Sequence, residues 1–165
     1  MNIQSFSSIY KVRKLHIEDI DMLYEFCNNN PLFYLYNGKE NTKEFIKQDL
    51  FVTPPGIPFE QKYYVGFFDG DKLIAIMDLI DGYPNRDTIF IGFFMMNAEE
   101  QGKGIGTLII QEVLAYVKSL GYPYCQLGID ENNPQSNHFW KKQGFKVFNQ
   151  VKQSYGNILL AIKHL

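Results

Sequence analysis

Gln101-Gly102-Lys103-Gly104-Ile105-Gly106 is the stretch that decides the fold of this chain. The apolar run 88–97 precedes it, and a helical pattern over 107–120 follows it. A strand, a glycine loop and a helix in this order direct unpaired backbone N–H groups outward at the helix N-terminus. That end of a helix carries about half a positive charge, so it is a ready site for phosphate. Glycines also let a ligand approach the backbone closely.

The spacing of the glycines excludes two common phosphate-binding motifs. A Walker loop continues with Gly-Lys-Ser/Thr, and a dinucleotide fingerprint reads Gly-x-Gly-x-x-Gly. Counted from Gly102, both motifs require a glycine at the position that Thr107 occupies. The remaining pattern is Gln-x-x-Gly-x-Gly, formed by Gln101, Gly104 and Gly106. On its own, this pattern indicates either a phosphate site or a glycine-rich turn without a ligand.

Composition narrows the class of protein. A chain of 165 residues with 45% hydrophobic and 21% charged residues is typical of one globular domain, here 1–165. The formal net charge of −2 gives no basic footprint for nucleic acid. Cys27 and Cys125 lie far apart without metal-ligand spacing, and no secretory signal or membrane-length apolar stretch is visible. We therefore expect free thiols, no metal, no membrane association and a cytoplasmic location.

Hydrophobic periodicity predicts the other elements. Strands are expected at 10–15, 62–69, 72–80, 88–97, 124–129, 145–150 and 158–163, and helices at 17–27, 42–51, 107–120 and 134–143. Gly70-Asp71 fits a two-residue type II′ hairpin, and the strands that flank the 107–120 helix should run parallel. These features predict a mixed α/β fold with a mostly antiparallel central sheet of about six to seven strands flanked by helices. Segment 32–36 is interpreted as part of the core or a packed loop, or as a wall of a substrate pocket.

A second motif lies in the C-terminal part of the chain. Asn133-x-x-Ser136-x-x-x-Trp140-x-x-x-Gly144-Phe145 resembles the pattern Asn-x-x-Ala-x-x-x-Tyr-x-x-x-Gly-Phe of the GNAT superfamily, the acyl-CoA-dependent N-acetyltransferases. The Gln-x-x-Gly-x-Gly loop resembles the pyrophosphate-binding motif of the same superfamily. Two motifs in the right order and on the predicted elements are much more specific than either one alone. The resemblance covers roughly 62–148, whereas the N-terminal third fits only by its strand-helix-helix order.

The resemblance implies how an acyl-CoA would bind. In GNAT proteins the two parallel strands splay apart, and the pantetheine arm pairs in the gap like an extra strand. The glycine loop would hold the pyrophosphate with Lys103 adding charge, while backbone groups near Met95 and Met96 would contact pantetheine and the acetyl oxygen, where an N–H stabilises an oxyanion. The implied cofactor-binding residues are Phe94, Met95, Met96, Gln101, Gly102, Lys103, Gly104, Ile105, Gly106, Thr107, Asn133, Asn137 and Trp140. Two of these residues have structural alternatives, because Asn133 fits a helix N-cap and Trp140 fits a core position.

The resemblance also implies direct attack of a free amine on the thioester, which requires a group that takes the amine proton. Many family members place a Glu on the strand before the loop, but the strand 88–97 contains no acid. Asp78 and Asp81 are the nearest substitutes in sequence, and Glu99 could act through a water. Each of these acids could instead be a turn residue or a solvated charge.

Trp140 stands where the family usually has a Tyr that serves as general acid. An indole N–H donates a hydrogen bond but has no useful acidity. Positioning contributes more to rate than general acid catalysis does, and a thiolate is a moderate leaving group, so catalysis does not require this acid. Tyr83 or Tyr155 could take its place.

The sequence therefore predicts an N-acetyltransferase that moves the acetyl group of acetyl-CoA to a primary amine. The expected acceptor is a small molecule or a peptide, and similar proteins are commonly homodimers. Three alternatives stay open: a transferase that uses a different acyl-CoA, a CoA-binding sensory or structural module with little catalysis, and a protein that binds another phosphate ligand.

Overall fold

The computed structural model describes residues 1–37, 40–154 and 156–165. In this part of the chain the strands are β1 (Lys11–Lys14), β2 (Lys62–Asp69), β3 (Lys72–Asp81), β4 (Thr88–Met96), β5 (Tyr124–Asp130), β6 (Lys146–Gln153) and β7 (Gly156–His164). The α-helices are α1 (Ile20–Asn28), α2 (Pro31–Asn37), α3 (Lys43–Phe51), α4 (Ile105–Ser119) and α5 (Pro134–Lys142), and short 3-10 turns lie at Ile3–Phe6, Ile17–Asp19, Phe59–Gln61 and Ala98–Glu100. None of the helices described here is both long enough and apolar enough to cross a membrane.

The strands form one sheet in the order β1-β2-β3-β4-β5-β7-β6. Within the described residues, β4 and β5 run parallel and all other neighbouring strands run antiparallel. The parallel pair follows from the crossover through α4, because a strand-helix-strand unit returns the chain in the same direction. The predicted mixed, mostly antiparallel sheet flanked by helices is confirmed.

The parallel strands separate before either of them ends. Their ladder stops at Ile91 and Leu127. Beyond that point β4 continues to Met96 along β3, and β5 continues to Asp130 along β7. The backbone groups that face each other across the gap therefore have no strand partner, and the gap is the splay that the resemblance implies.

A bulge at Gly92 marks the point where β4 leaves β5. Asp78 of β3 pairs with Phe93, and the next residue, Leu79, pairs with Ile91, so Gly92 is an additional residue in β4. One extra residue shifts the alternation of side chains to the opposite faces of the sheet. The bulge therefore determines which side chains of β4 lie on each face of the sheet beside the splay.

The sheet has a separate apolar core on each face. Ile91 before the bulge and Phe94 after it belong to the core beneath α4 and α5, whereas Met95 belongs to the core beneath α1 and α3. The α4 side chains that are completely buried in the first core are Ile109, Ile110, Val113 and Val117. Burial of each such side chain stabilises the fold by about 1.5–3 kcal/mol relative to exposure.

Two sequence predictions about helices differ from the structure. Helix α4 begins at Ile105 and not at Thr107, because Gly104 adopts a positive φ of 83° and serves as the N-cap. Gly106 therefore lies inside the helix, where an added Cβ would stand 3.3 Å from two side-chain atoms of Met96. The segment 32–36 is helical in α2 and is not a loop, since Pro31 fits the first position of a helix.

Candidate active site

The glycine loop lies at the end of the sheet where β4 and β5 splay. Gly102 and Gly104 have φ values of 75° and 83°, and an added Cβ at either residue would meet no atom within 4 Å. The first loop-to-helix bond of α4 runs from Leu108 N to Gly104 O at 3.1 Å. The earlier N–H groups of the first turn have no intrahelical partner. The loop thus combines an open surface with unpaired donors, as an anion site requires.

The side chain of Gln101 ties this loop to both flanking helical segments. Its Nε2 donates to Asn30 Oδ1 at 2.7 Å, and its Oε1 accepts from Gln135 Nε2 of α5 at 3.3 Å. Asn30 lies between α1 and α2, is 7% exposed, and donates to Phe26 O at 3.1 Å. A buried amide with a partner on each side fixes the loop relative to the α1–α2 turn.

Two further side chains of the loop region have partners within the protein. Lys103 Nζ lies 3.0 Å from Glu100 Oε2 and is exposed beside the loop. Thr107 Oγ1 accepts from Gln143 Nε2 at 3.0 Å, so its hydroxyl contacts the end of α5. Only the backbone N–H of Thr107, and not its side chain, is therefore oriented by the start of α4.

The predicted residues of α5 shape the other wall of the splay. Asn133 Oδ1 accepts from Ser136 N at 2.9 Å, which is an N-cap bond. Asn137 Nδ2 donates to backbone oxygens of the β5–α5 turn, at 2.8 Å from Asn133 O and 3.0 Å from Asp130 O. Both asparagines therefore hold the turn that carries β5 into α5.

Trp140 is a core residue at 7% exposure. Its ring centroid lies 6.1 Å from that of Phe94 and 5.3 Å from that of Phe145, both in edge-on geometry. Phe94 also stacks on Phe139 at 6.0 Å. The indole therefore supports the side of β4 that follows the bulge, and it does so by packing.

Asp78 lies on the opposite face of the sheet, directly at the bulge. Its Oδ2 is 2.6 Å from Lys62 Nζ of β2, and the two side chains are 13% and 1% exposed. Its Oδ1 is buried and receives no hydrogen bond from the described residues. An added Cβ on Gly92 would stand 3.0 Å from Oδ2, so the glycine leaves room for the carboxylate at an exposed position of β4.

Burial raises the pKa of Asp78 from 3.8 to about 6, although the nearby Lys62 ammonium opposes this rise. A carboxyl with that pKa is mostly ionised at neutral pH and can still accept a proton, which suits a general base. Burial also raises the pKa of the Cys27 thiol to about 11, and it raises the pKa of Tyr64 well above its usual range. These two neighbours therefore stay neutral while Asp78 is charged.

Aromatic rings lie on the same face of the sheet as this carboxylate. Phe93 stacks on Tyr64 at a centroid distance of 6.4 Å, and Phe33 of α2 meets Phe93 edge-on at 4.9 Å. Lys62 Nζ lies 5.3 Å from the centre of the Tyr64 ring. Helix α2 thus brings the predicted 32–36 segment over the Asp78 face, where it can form a wall of an acceptor pocket.

The other catalytic candidates do not lie with Asp78. Asp81 pairs with Ile89 near the start of β4 and accepts a hydrogen bond from Tyr122 Oη at 2.5 Å. Tyr83 follows in the β3–β4 turn, with its ring 5.2 Å from that of Phe90. Both residues are at the end of β4 that remains paired with β5. Glu99 is exposed and lies 3.0 Å from Lys72 Nζ, and Tyr155 is outside the described residues.

A family model described as "Acetyltransferase (GNAT) family" matches residues 19–145 of this chain. The chain belongs to the GNAT family of acetyltransferases. The predicted family and the predicted acyltransferase class are confirmed. No curated protein matches the sequence at a significant level.

Solved GNAT structures share the fold across nearly the whole chain. The acetyltransferase from Thermus thermophilus is 20% identical with a TM-score of 0.76, and 94% of this chain and 97% of that chain are covered. The PaiA N-acetyltransferase from Thermoplasma acidophilum, solved in complex with coenzyme A, is 20% identical with a TM-score of 0.68 and coverages of 94% and 99%. The acetyltransferase of Salmonella typhimurium that modifies the N-terminal serine of ribosomal protein L7/L12 is 13% identical with a TM-score of 0.76 and coverages of 97% each.

Strand β4 of this GNAT chain contains no acid at the position where many family members place a Glu. Strand β4 contributes Gly92 and Phe93 at the splay, and the carboxylate comes from Asp78 of the neighbouring strand. Among the described residues, no group of three or more His, Cys, Asp or Glu side chains is arranged to bind a metal. Of the predicted acids, Asp78 is the one that lies at the Gly92 bulge.

Proposed function

We propose that this protein transfers the acetyl group of acetyl-CoA to a primary amine by direct attack within a ternary complex. The observation that carries the proposal is the Asp78 carboxylate beside the Gly92 bulge, at the point where β4 and β5 separate. In the proposed complex, the donor bound at the glycine loop would meet the amine at the splay, and Asp78 on the other face of the sheet would accept the proton.

The residues present fit acetyl-CoA as the donor. The open loop at Gly102 and Gly104 and the unpaired N–H groups at the start of α4 suit a diphosphate, and the exposed Lys103 adds positive charge. Beyond the bulge, the β4 edge from Phe94 to Met96 offers backbone groups to an extended pantetheine chain. The thioester supplies an activated acyl group, and the protein supplies its alignment.

Asp78 would take the proton of the attacking amine. An alkyl amine has a reference pKa of about 10.4, so it must lose a proton before or during the attack. A carboxylate with a pKa of about 6 is charged at neutral pH and lies on the face covered by α2. General base assistance of this kind contributes about 10²–10⁴ in rate.

The departing thiolate would receive no help from Trp140, because the indole is packed in the core and has no acidic proton. A thiolate with a reference pKa of about 8.5 can leave without a proton donor. Alignment of the amine and the thioester would then supply most of the rate enhancement.

A CoA-binding module with little catalysis is the second candidate. It is favoured by the near-complete burial of Asp78 under Phe93 and Tyr64 and by its ion pair with Lys62. In this case the loop would bind CoA, and the carboxylate would serve only the structure.

The experiment that separates the two candidates measures thiol release from acetyl-CoA over a panel of small-molecule and peptide amines. Asp78→Asn should lower kcat/KM by about 10²–10⁴ and leave the Kd for CoA unchanged. Asp81→Asn is the matched comparison, because it removes the same charge from the last residue of β3, which lies beside the part of β4 that is still paired with β5. CoA binding without turnover on any amine would identify the module, and a larger loss in Asp81→Asn would move the base to that residue. Repeating the panel with longer acyl-CoA donors tests the acyl group.

A further inference from the structure

The ion pair between Lys62 and Asp78 is placed unusually for a structural contact. Both side chains lie between the sheet and the helices α1 and α3, and the 2.6 Å contact engages only Oδ2 of the carboxylate. A buried ion pair gives little net stability over an apolar pair of similar volume, since both charges lose their hydration. The second carboxylate oxygen, Oδ1, is also buried and receives no hydrogen bond from any described residue.

The charged and titratable groups around Asp78 come from three directions. Strand β2 contributes Lys62 and Tyr64, and helix α3 contributes Asp49, whose negative charge acts against ionisation of Asp78. Strand β4 presents Gly92 and Phe93, which do not titrate. Cys27 of α1 and Tyr34 of α2 lie farther out, next to Tyr64. Among these groups, Lys62 carries the positive charge that lowers the pKa of Asp78, whereas burial and the Asp49 carboxylate raise it.

We propose that Lys62 is a positioning residue for the base: its buried side chain holds Oδ2 of Asp78 at 2.6 Å and keeps the carboxylate charged, ready to accept the proton of the amine. The inference rests on the proposed acetyl transfer. As the new C–N bond forms and the C–S bond breaks, one N–H bond of the amine breaks and its proton moves to the Asp78 carboxylate. Asp78 later releases the added proton to the thiolate or to solvent.

Removal of the ammonium should change the pH at which Asp78 works. An opposite charge within about 4–6 Å lowers the pKa of a carboxyl group by about 1–3 units, so Lys62→Met should move the acid limb of kcat/KM upward by that amount. A midpoint that rises from about 6 to about 8 reduces the ionised fraction at pH 7 by roughly tenfold. The activity of Lys62→Met should then recover at pH 9, which a misfolded site would not do.

The test compares pH profiles of the wild type, Lys62→Met, Lys62→Gln and Lys62→Arg. The Arg variant restores the charge and should keep the midpoint within about half a unit of the wild type. Lys11→Met is the matched control, because it removes an exposed lysine from the edge strand β1. The same titration is followed without turnover by NMR of the Asp78 carboxyl in protein labelled with ¹³C-aspartate, with Asp78→Asn as the assignment standard.

The outcomes distinguish this inference from the proposed function. An unshifted Asp78 titration in either neutral variant, with the fold retained by circular dichroism, would overturn the role of Lys62 even if the wild type is active. A shifted titration in an enzyme that acetylates no amine would support the placement of the charge and overturn the transfer. If Lys62→Met does not fold, Lys62→Gln carries the same prediction, and failure of the Arg variant to restore the midpoint counts against it.

Discussion

Gly104 offers a direct test of the loop as the CoA diphosphate site. Its φ of 83° lies in the left-handed region, which costs a residue with a side chain roughly 1–2 kcal/mol. No atom lies within 4 Å of an added Cβ, so Gly104→Ala introduces strain without a clash. For a chain of 165 residues this cost corresponds to a fall in Tm of about 3–6 °C.

The same variant should weaken CoA binding beyond its effect on stability. The new methyl group stands on the open side of the loop, where the phosphates must approach the backbone. A hydrogen bond to a charged group is worth about 1.5–3 kcal/mol, so displacement of one donor should raise the Kd for CoA by about tenfold or more. Isothermal titration calorimetry with CoA measures the affinity, and a thermal melt measures the stability.

Gly56 provides the matched control for this substitution. It has a φ of 80°, it also has no atom within 4 Å of an added Cβ, and it lies in the connection between α3 and β2. Gly56→Ala should therefore lose a similar amount of stability and bind CoA as the wild type does. Equal CoA affinities for Gly104→Ala and the wild type would refute the assignment of the diphosphate to this loop, and so would an equal loss in both variants.

Three other predictions concern the surroundings of the loop and the base. Asn30→Ala should raise the Kd for CoA by about fivefold or more in calorimetry, because Gln101 loses its buried acceptor at a cost of about 1–3 kcal/mol. Unchanged affinity would show that this contact does not hold the loop. Gly92→Ala would place a Cβ 3.0 Å from Asp78 Oδ2 and should reduce kcat/KM at least about tenfold with CoA affinity retained, a result that a normal steady-state rate would contradict. Because burial disfavours the charged carboxylate, Asp78 destabilises the folded state once it is ionised. The stability associated with its raised pKa is fully present below about pH 3.8 and is lost as the pH rises through about 6. The difference in unfolding free energy between wild type and Asp78→Asn should therefore fall by about 2–3 kcal/mol from pH 4 to pH 7 in urea titrations, and a flat difference would disprove the shift.

Periodicity and turn chemistry predicted most of the elements because they are local signals. The hairpin at Gly70 forms as expected, with Asp69 paired to Lys72 and a φ of 56° at the glycine. The parallel β4–β5 pair followed from the strand-helix-strand order. The start of α4 was placed two residues late, since the glycines were assigned to the loop and Gly106 in fact packs in the first helical turn.

The residues that the sequence did not reveal act through contacts between distant segments. Asn30 and Gln101 are far apart in the chain, and nothing in either local pattern links them. Lys62 is a different case, because it lies in the same hairpin as Asp78. A bulge between Phe67 and Phe68 shifts the register of β2 and β3 by one residue, and this shift puts Lys62 and Asp78 on the same face of the sheet. The turn gives no signal of this bulge, so the pairing of the two charges could not be predicted from the hairpin.

The bulge at Gly92 explains how an acid on β3 can serve where β4 has none. Neighbouring strands lie about 4.8 Å apart, so a side chain on β3 can extend over β4 only where the adjacent β4 residue has no side chain in the way. Gly92 provides that space beside the Asp78 carboxylate, and the same extra residue turns Phe93 toward α2 and Phe94 toward Trp140. In the proposed reaction, the bulge where β4 leaves β5 would thus also give the carboxylate room to meet the amine. A base on β3 and a glycine at the bulge therefore form one arrangement, and neither residue would serve the proposed reaction without the other.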